Sequence, residues 1–270
     1  MGWTLATVSL DGPPSAVILS ASHDGRVLAV KDDVFAGTIT LIVDGEGREL
    51  VMPNHQPGGV PVAFVSPDGA WVVINEVGLL FRYDVAADVG EEMDQPVAGG
   101  SAAGFCPDGR LAVLTGTVAG ELGGVTDTAI YLVDVPTGTA TALGTRSDAV
   151  GVFPASDGVA ALVDDDTGWA LLHVGADGHE SQVSDLDAAV TRLVVAPDLS
   201  AVATTDANGR VTLLLLPEGD EIELPTLIPI DFSPDGSLLR GTMGEVTLAI
   251  DRSGTQQVEL ESIHTVWVGR

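Results

Sequence analysis

One short turn sequence recurs along this chain and limits the folds open to it. An apolar run, a Pro-Asp-Gly turn and a second apolar run form the repeating unit, which is clearest at Phe64–Ile74. Copies of this turn contain six aspartates spaced between 37 and 49 residues apart, namely Asp24, Asp68, Asp108, Asp157, Asp198 and Asp235. A repeat of that length with several strands per unit is typical of propeller blades. The chain is therefore predicted to be all-β.

Each repeat is interpreted as four strands, because apolar runs alternate with turn residues. The strands predicted for the first repeat are Ala16–Ala21, Arg26–Val30, Thr38–Val43 and Glu49–Met52. The predicted fold is a six-bladed β-propeller with four-stranded antiparallel blades. The strand-like ends of the chain, Trp3–Leu10 and Ile263–Val268, are expected to pair and close the ring. The alternative is a seven-bladed propeller in which they form a short closing blade.

Two connections carry predictions of their own. The fourth strand of the second repeat is predicted near Met93–Val97, because Glu91, Glu92 and Pro96 suit an outer edge. In the third repeat, the Gly-rich segment Gly116–Thr128 is predicted to be a long connection, either a tolerated insertion or a functional loop. No linker divides the repeats, so residues 1–270 are predicted to be a single β-propeller domain.

The charge balance excludes some classes of partner. The 270 residues include 39 acidic and 11 basic side chains, giving a net charge of −28, and Lys31 is the one lysine. A field of this sign repels phosphate backbones and anionic lipid headgroups, so neither nucleic acid nor a membrane surface is an expected partner. The composition favours a halophilic protein whose surface carboxylates maintain solubility. With no basic leader and no apolar run of about 20 residues, a cytoplasmic protein is predicted.

The repeated apolar strand, Ser-Pro-Asp-Gly turn and second apolar strand resemble the WD-like repeats of TolB-type β-propellers. Residues Phe64–Val85 and Phe232–Gly254 carry the resemblance best, and the overall composition resembles that of haloarchaeal proteins. The resemblance implies a propeller along the whole chain. The same repeats occur in propellers attached to prolyl-oligopeptidase-type peptidases. The shared residues are turn and packing residues, so the resemblance implies no catalytic residue.

The sequence contains few signs of an enzyme. It has no Gly-x-Ser-x-Gly elbow, P-loop or dinucleotide-binding fingerprint, and its one cysteine, Cys106, permits no internal disulfide. The Pro-Asp-Gly turns supply one carboxylate each, whereas Ca²⁺ needs six to eight oxygens that converge on one point. No cofactor, metal site or catalytic residue is predicted, and whether the protein is an enzyme stays open, with a non-enzymatic role favoured.

A partner-binding surface is predicted from the loops. The connections between second and third strands, and those between successive blades, leave a blade at the same end. The residues there that we interpret as partner-binding are Asp32, Asp33, Phe35, Asn54, His55, Asp164, Asp165 and Asp166. A rigid propeller that offers such loops suits a protein-interaction scaffold, acting as a monomer or as part of a larger assembly. The alternative is a small-molecule hydrolase or lyase, or a ligand sensor, that uses the central channel.

Overall fold

A computed structural model describes residues 2–8, 10, 16–32, 38–50, 61–76, 79–119, 124–164, 168–186, 190–262 and 264–269, without the side chains of 117–119 and 124–127. The architecture is a six-bladed β-propeller with four-stranded antiparallel blades, as predicted, and a further two-stranded sheet. Strands follow one another in sequence order within every blade. The described residues contain no helix, so no helix among them is a candidate for crossing a membrane.

The chain forms two compact units. The N-terminal unit, residues 8–147 with Gly269, contains blades 1 to 3. Blade 1 consists of β2 (Val17–Ala21), β3 (Val27–Lys31), β4 (Ile39–Val43) and β5 (Glu46–Leu50). Blade 2 consists of β6 (Val62–Val65), β7 (Trp71–Glu76), β8 (Leu79–Asp84) and β9 (Val89–Glu92). Blade 3 consists of β10 (Ser101–Phe105), β11 (Leu111–Ala119), β12 (Gly124–Asp134) and β13 (Thr139–Arg146).

The C-terminal unit, residues 148–268 with the first seven residues, contains blades 4 to 6. Blade 4 consists of β14 (Ala149–Ala155), β15 (Gly158–Asp164), β16 (Trp169–Val174) and β17 (Glu180–Leu186). Blade 5 consists of β18 (Val190–Val195), β19 (Ala201–Asp206), β20 (Val211–Leu215) and β21 (Glu221–Glu223). Blade 6 consists of β22 (Ile228–Phe232), β23 (Leu238–Met243), β24 (Val246–Asp251) and β25 (Gln256–Leu260). The two-stranded sheet pairs β1 (Trp3–Thr7) with β26 (Thr265–Gly269).

The second strand of a blade is apolar throughout because both of its faces are buried. In β7, Val72 and Ile74 pack in a cluster with Leu41 of blade 1. The intervening Val73 packs on the other face, in a cluster with Leu111 of blade 3. Side chains alternate between the two faces of a strand, so a strand covered on both sides needs a continuous apolar run. The hydrophobic core within each unit therefore lies between successive blades.

The recurring turn is held by its own side chains. Ser66 Oγ donates a hydrogen bond to Asp68 Oδ1 at 2.6 Å and accepts one from the backbone nitrogen of Trp71 at 2.9 Å. Asp68 Oδ1 also accepts a hydrogen bond from the nitrogen of Ala70, and Gly69 takes the positive φ of 71° that the turn requires. The same bonds recur at the Ser22 and Ser233 turns. These carboxylates stabilise turns by accepting hydrogen bonds, as predicted from the sequence.

The turn bonds change the acidity of their carboxylates. Burial acts to raise the pKa of Asp68, but hydrogen bonds from the Ser66 hydroxyl and the Ala70 amide outweigh it and hold that pKa below its ordinary value of 3.8. The pKa of Asp24 and that of Asp235 are lowered in the same way, again against the effect of burial. The ionised form of each carboxylate therefore stabilises the folded turn.

Two sequence predictions were wrong in detail. The fourth strand of blade 2 is Val89–Glu92, whereas Met93–Val97 forms no strand. Met93 and Val97 are buried because they pack in a cluster with residues of blade 3, which gave them the apolar character expected of a strand. In the segment predicted as a loop at Gly116–Thr128, residues 116–119 belong to β11 and residues 124–128 to β12, with Thr117 paired to Thr126, and residues 120–123 lie outside the described residues.

The two ends of the chain pair with each other, as expected. Strands β1 and β26 form one sheet, and Leu5 and Trp267 pack in a cluster with Ala249 of blade 6. The side chain of Trp267 also donates a hydrogen bond from Nε1 to Asp231 of β22. Both apolar packing and a polar contact thus fix this sheet to blade 6.

Candidate functional site

Two of the eight residues predicted to bind a partner lie in the described part of the chain. Asp32 directly follows β3 of blade 1, and Asp164 is the last residue of β15 in blade 4; both are exposed. The backbone nitrogen of Asp164 donates a hydrogen bond to the carbonyl of Asp148, and its register partner is Trp169. Each carboxylate therefore stands where the second strand of its own blade ends. The other six, Asp33, Phe35, Asn54, His55, Asp165 and Asp166, lie outside the described residues.

A buried lysine immediately precedes Asp32. Lys31, the only lysine in the sequence, is 1% exposed, and its Nζ donates a hydrogen bond to the carbonyl of Pro61 at 3.3 Å. Glu76, the last residue of β7 in blade 2, is also 1% exposed. Buried charges are costly unless they are paired or hydrogen-bonded. In the sequence, Lys31 directly follows the apolar run Val27–Val30. This placement indicates a buried lysine, and the sequence analysis did not use it.

Exposed apolar side chains mark the same end of several blades. Val62, Val150 and Ile228 are the first or second residues of the first strand in blades 2, 4 and 6, and all three are exposed. Among the described residues, blade 6 carries the largest number of them. Ile228 is 55% exposed and Met243, the last residue of β23, is 49% exposed. Sequence reasoning missed these positions, because an apolar residue in a strand is usually buried.

We call Ile228, Ile230 and Met243 the apolar patch of blade 6. Ile228 pairs in register with Thr242, the residue before Met243, so these residues lie at one end of the blade, with the side chain of Met243 on the opposite face of the sheet from that of Ile228. Ile230 is two residues further along β22 and falls at a shift in register between β22 and β23. Like Ile228, Ile230 is exposed.

Directly beside this patch lies a polar network that holds β22 in place. Asp231 accepts hydrogen bonds from Arg240 Nε at 2.9 Å and Arg240 Nη2 at 2.5 Å, and from Trp267 Nε1 at 2.9 Å. Arg240 also donates to the carbonyl of Thr265 in β26. Hydrogen bonds between ionised groups are stronger than neutral ones, and a bidentate pair fixes orientation as well. The network therefore presents the neighbouring apolar residues on a rigid strand.

Arginine side chains in the described ranges are largely neutralised by carboxylates. Seven of them form ion pairs: Arg26 with Asp44, Arg48 with Asp88, Arg82 with Glu91, Arg110 with Asp108, Arg210 with Glu223, Arg240 with Asp231 and Arg252 with Asp198. Exposed pairs of this kind contribute little to stability, about 0 to 1 kcal/mol each. Because acidic side chains outnumber basic ones, 39 to 11, carboxylates remain in excess after this pairing and the protein keeps its net negative charge.

Within the described ranges, no three His, Cys, Asp or Glu side chains come together in a group suited to a metal ion. His173 Nε2 lies 2.6 Å from the carbonyl oxygen of Asp157, so this histidine contacts the recurring turn of blade 4.

Comparison with known proteins supports the fold. No protein-family model matches the sequence, and no curated protein matches it. The structure is similar to the crystal structure of TolB from Acinetobacter baumannii, with 13% identity and a TM-score of 0.57 over 93% of this chain and 65% of that one. It is also similar to dipeptidyl peptidase 4 from Porphyromonas gingivalis, with 18% identity and a TM-score of 0.55 over 89% of this chain and 44% of that one. At fold level the chain is a TolB-like β-propeller.

Proposed function

We propose that this chain is a non-enzymatic protein-interaction scaffold that acts in the cytoplasm of a halophilic cell, where proteins are acidic and the salt concentration is high. The observation that carries the proposal is the apolar patch of blade 6, where Ile228, Ile230 and Met243 are exposed on a protein with a net charge of −28. Several exposed apolar residues at one end of a blade are a candidate surface for another protein to cover.

The chemistry of the surface supports a partner that is apolar at its centre. Covering a side chain such as Ile228 removes apolar area from water, which is worth roughly 25 cal/mol for each Å² buried. The bidentate pair of Asp231 and Arg240 holds β22, so little ordering is needed on binding, and affinity suffers less from lost freedom. The predicted acidic residue Asp164, which belongs to the same unit as the patch, would add specificity for a partner with basic side chains.

The similarity to dipeptidyl peptidase 4 does not argue for peptidase activity here. At 18% identity it concerns the fold, and this chain spans less than half of that protein. A propeller fold serves many unrelated functions, so function has to be argued from a site. The residues that we assign a role are those of the apolar patch.

The test is a comparison of proteins captured by three forms of the immobilised chain. The double variant Ile228→Glu with Met243→Glu places charge on the patch. Val89→Glu, at another exposed apolar position, adds the same charge elsewhere. Extract from the source cells is passed over each form at low and at high potassium chloride concentration, and bound proteins are identified by mass spectrometry.

We expect at least one protein to be retained by the unmodified chain and by Val89→Glu but lost from the double variant. Reconstitution of that protein with the purified chain, followed by calorimetry, then gives the affinity. An identical set of captured proteins on all three forms would overturn the role of the patch. Failure to retain any protein at either salt concentration would count against the scaffold.

A further inference from the structure

Arg192 is an exception to the pairing of arginines with carboxylates in this protein. It is exposed on β18, the first strand of blade 5, and its side chain forms no ion pair or hydrogen bond within the described part of the chain. The protein has 39 acidic side chains and a net charge of −28. An unpaired guanidinium on such a protein is a local attraction for an anion that the overall field repels.

Thr205 of β19 lies directly opposite Arg192 in the register of blade 5, so the two side chains are on the same face of the sheet. The Oγ1 atom of Thr205 is buried and has no hydrogen-bond partner among the described residues. The neighbouring Thr204 is on the other face, and its hydroxyl donates to the carbonyl of Thr212 at 3.4 Å. Buried polar groups are almost always hydrogen-bonded in native proteins. An unpartnered hydroxyl beside an unpaired guanidinium therefore indicates a site for a ligand that accepts hydrogen bonds.

Both of these side chains are directed towards blade 6. Ala201 and Ala203 of β19 pack in a cluster with Leu239 of blade 6. Side chains two residues apart along a strand share a face, so Thr205 faces the cleft between blades 5 and 6. Arg192 faces the same cleft because it is the register partner of Thr205. The two blades belong to one unit, and β18 lies next to β22.

Blade 6 contributes apolar side chains to the same cleft. Leu239 of β23 is in the cluster shared with blade 5, so Met243, four residues further along that strand, faces blade 5 as well. The side chain of Met243 is exposed, and like Thr205 it lies near the end of the second strand of its blade. Leu227 belongs to the shared cluster and is buried against Gly241, where an added Cβ would overlap it.

We propose that this cleft, formed by Arg192, Thr205, Leu227 and Met243, binds a carboxylate that is attached to an apolar group. A guanidinium presents its N–H donors in a planar fork that fits both oxygens of a carboxylate, and the Thr205 hydroxyl donates a further hydrogen bond. Methionine is flexible and packs against apolar groups of varied shape. The site shares Met243 with the apolar patch but does not depend on the scaffold role, because Ile228 is on the other face of blade 6.

The charge of the protein favours a carboxylate over a phosphate as the ligand. A phosphate monoester carries a charge of about −1.5 to −2 at pH 7, so a net charge of −28 repels it more strongly than a carboxylate. The single guanidinium of Arg192 neutralises one negative charge. At about 1 M salt the Debye length is about 3 Å, which screens distant carboxylates but leaves a direct contact with Arg192 in place.

The test follows the methyl signal of Met243 by NMR in the full chain, with isotopically labelled methionine. The chain has four methionines, and Met243→Leu identifies the signal. The probe is N-acetylleucine, titrated at about 0.1 M and about 1 M potassium chloride. N-acetylleucinamide, which lacks the negative charge, and N-acetylglycine, which lacks the apolar side chain, are the matched control ligands.

We expect N-acetylleucine to shift the Met243 signal saturably at one or both salt concentrations. N-acetylglycine should bind several-fold more weakly, because it removes less apolar area from water, and N-acetylleucinamide should not bind. The absence of a saturable shift at both salt concentrations would overturn the inference. An equal response to N-acetylleucine and to its amide would overturn it as well.

Two arginine variants test the role of the guanidinium. Arg192→Gln should weaken the binding of N-acetylleucine roughly tenfold or more, because charge-assisted hydrogen bonds are lost. Arg210→Gln removes the same charge from the same blade, at an exposed arginine that is already paired with Glu223. It should leave the dissociation constant within about twofold. Binding that Arg192→Gln retains in full would contradict the site.

Thr205→Val separates binding from folding. Valine keeps the branched shape but removes a buried hydroxyl that has no partner within the described ranges, so the urea midpoint should be unchanged or higher. The same variant should bind N-acetylleucine about three- to tenfold more weakly. A lower midpoint with unchanged binding would show that the hydroxyl serves the fold, and would contradict its role in the site.

A carboxylate of this kind belongs either to a free organic acid or to the end of a peptide chain. A short peptide that ends in leucine, compared with its C-terminally amidated form, distinguishes these sources. Tighter binding of the free peptide than of N-acetylleucine would support a site for chain ends, and the reverse order would support a site for a small acid. Equal binding of the free and amidated peptides would contradict recognition of the carboxylate.

Discussion

Asp231 accepts a hydrogen bond from the indole nitrogen of Trp267 at 2.9 Å. The two residues are far apart in sequence, one in β22 of blade 6 and the other in β26 near the end of the chain. The same carboxylate receives the bidentate contact of Arg240. A single acidic side chain therefore joins the two-stranded sheet of the chain ends to the blade on which it packs.

The first prediction concerns this contact. Trp267→Phe removes the indole donor but keeps an aromatic ring in a cluster with Leu5 and Ala249. We expect a loss of about 1 to 2 kcal/mol in the free energy of unfolding, since a hydrogen bond to a charged acceptor is lost along with some packing. A double-mutant cycle with Asp231→Asn, measured by urea unfolding, should give a coupling energy of about 1 kcal/mol. Additive effects of the two substitutions would show that the contact contributes nothing.

The second prediction concerns the seryl hydroxyl of the recurring turn. Ser66 is 3% exposed, and its hydroxyl bridges the carboxylate of Asp68 and the nitrogen of Trp71. Ser66→Ala removes both bonds and should lower the free energy of unfolding by about 1 to 3 kcal/mol.

Ser66→Cys is the matched variant, because Cys106 occupies the equivalent position in blade 3. A thiol is a weak donor and a weak acceptor, so the loss should be smaller than for alanine. Chemical denaturation of both variants measures the difference, and equal stability of all three forms would contradict the bridging role.

The third prediction concerns Gly236 in the turn of blade 6. It has φ of 72°, and a Cβ added there would overlap the carboxylate of Asp198 in the preceding blade. Gly236→Ala should therefore cost both the left-handed conformation, about 1 to 2 kcal/mol, and a steric term of about 1 to 3 kcal/mol.

Gly209→Ala separates these two costs. Gly209 has φ of 78°, but no atom lies within 4 Å of an added Cβ, so only the conformational cost should appear. Thermal and urea unfolding of both variants give the comparison. If Gly236→Ala were no more harmful than Gly209→Ala, the close approach of Asp198 would have no energetic effect.

The fourth prediction concerns pH. Burial lowers the pKa of His23 below its ordinary value of 6.5, although Asp24 and Asp68 act to raise it. Between the lowered folded value and 6.5, the unfolded state binds more protons, so stability increases with pH in that window. The contribution of His23 is thus complete above pH 6.5 and is lost as the pH falls through the lower folded pKa.

His23→Gln should flatten the pH dependence of stability in that window. Urea midpoints recorded at intervals of pH for both forms measure it. Unchanged slopes in the variant would show that other groups are responsible.

How far the sequence could be interpreted is seen from particular residues. The six aspartate turns predicted the six blades because the turn chemistry is local: Ser66, Asp68 and Gly69 act within a few residues of one another. The fourth strand of blade 2 was misplaced because Met93 and Val97 are buried in a cluster that contains residues of both blade 2 and blade 3. Burial against a neighbouring blade has no local signature in the sequence, so these apolar residues were interpreted as a strand.

The candidate site was less accessible to prediction. Asp32 and Asp164 were recognised by charge. Three other features were not recognised from the sequence. They are the exposure of Ile228 and Met243, the burial of Lys31 and Glu76, and the contact of Arg240 with Thr265. Each of these depends on which surface another strand covers, and an isolated residue type does not record that.

The amino-acid sequence alone determined the number of blades, the acidic surface and the chemistry of the turns, because each depends on neighbours within one repeat or on a sum over all residues. Only the tertiary structure decided which apolar residues are left exposed and which charges are buried. Those properties follow from long-range packing, in which residues distant in sequence either cover a given side chain or leave it in water.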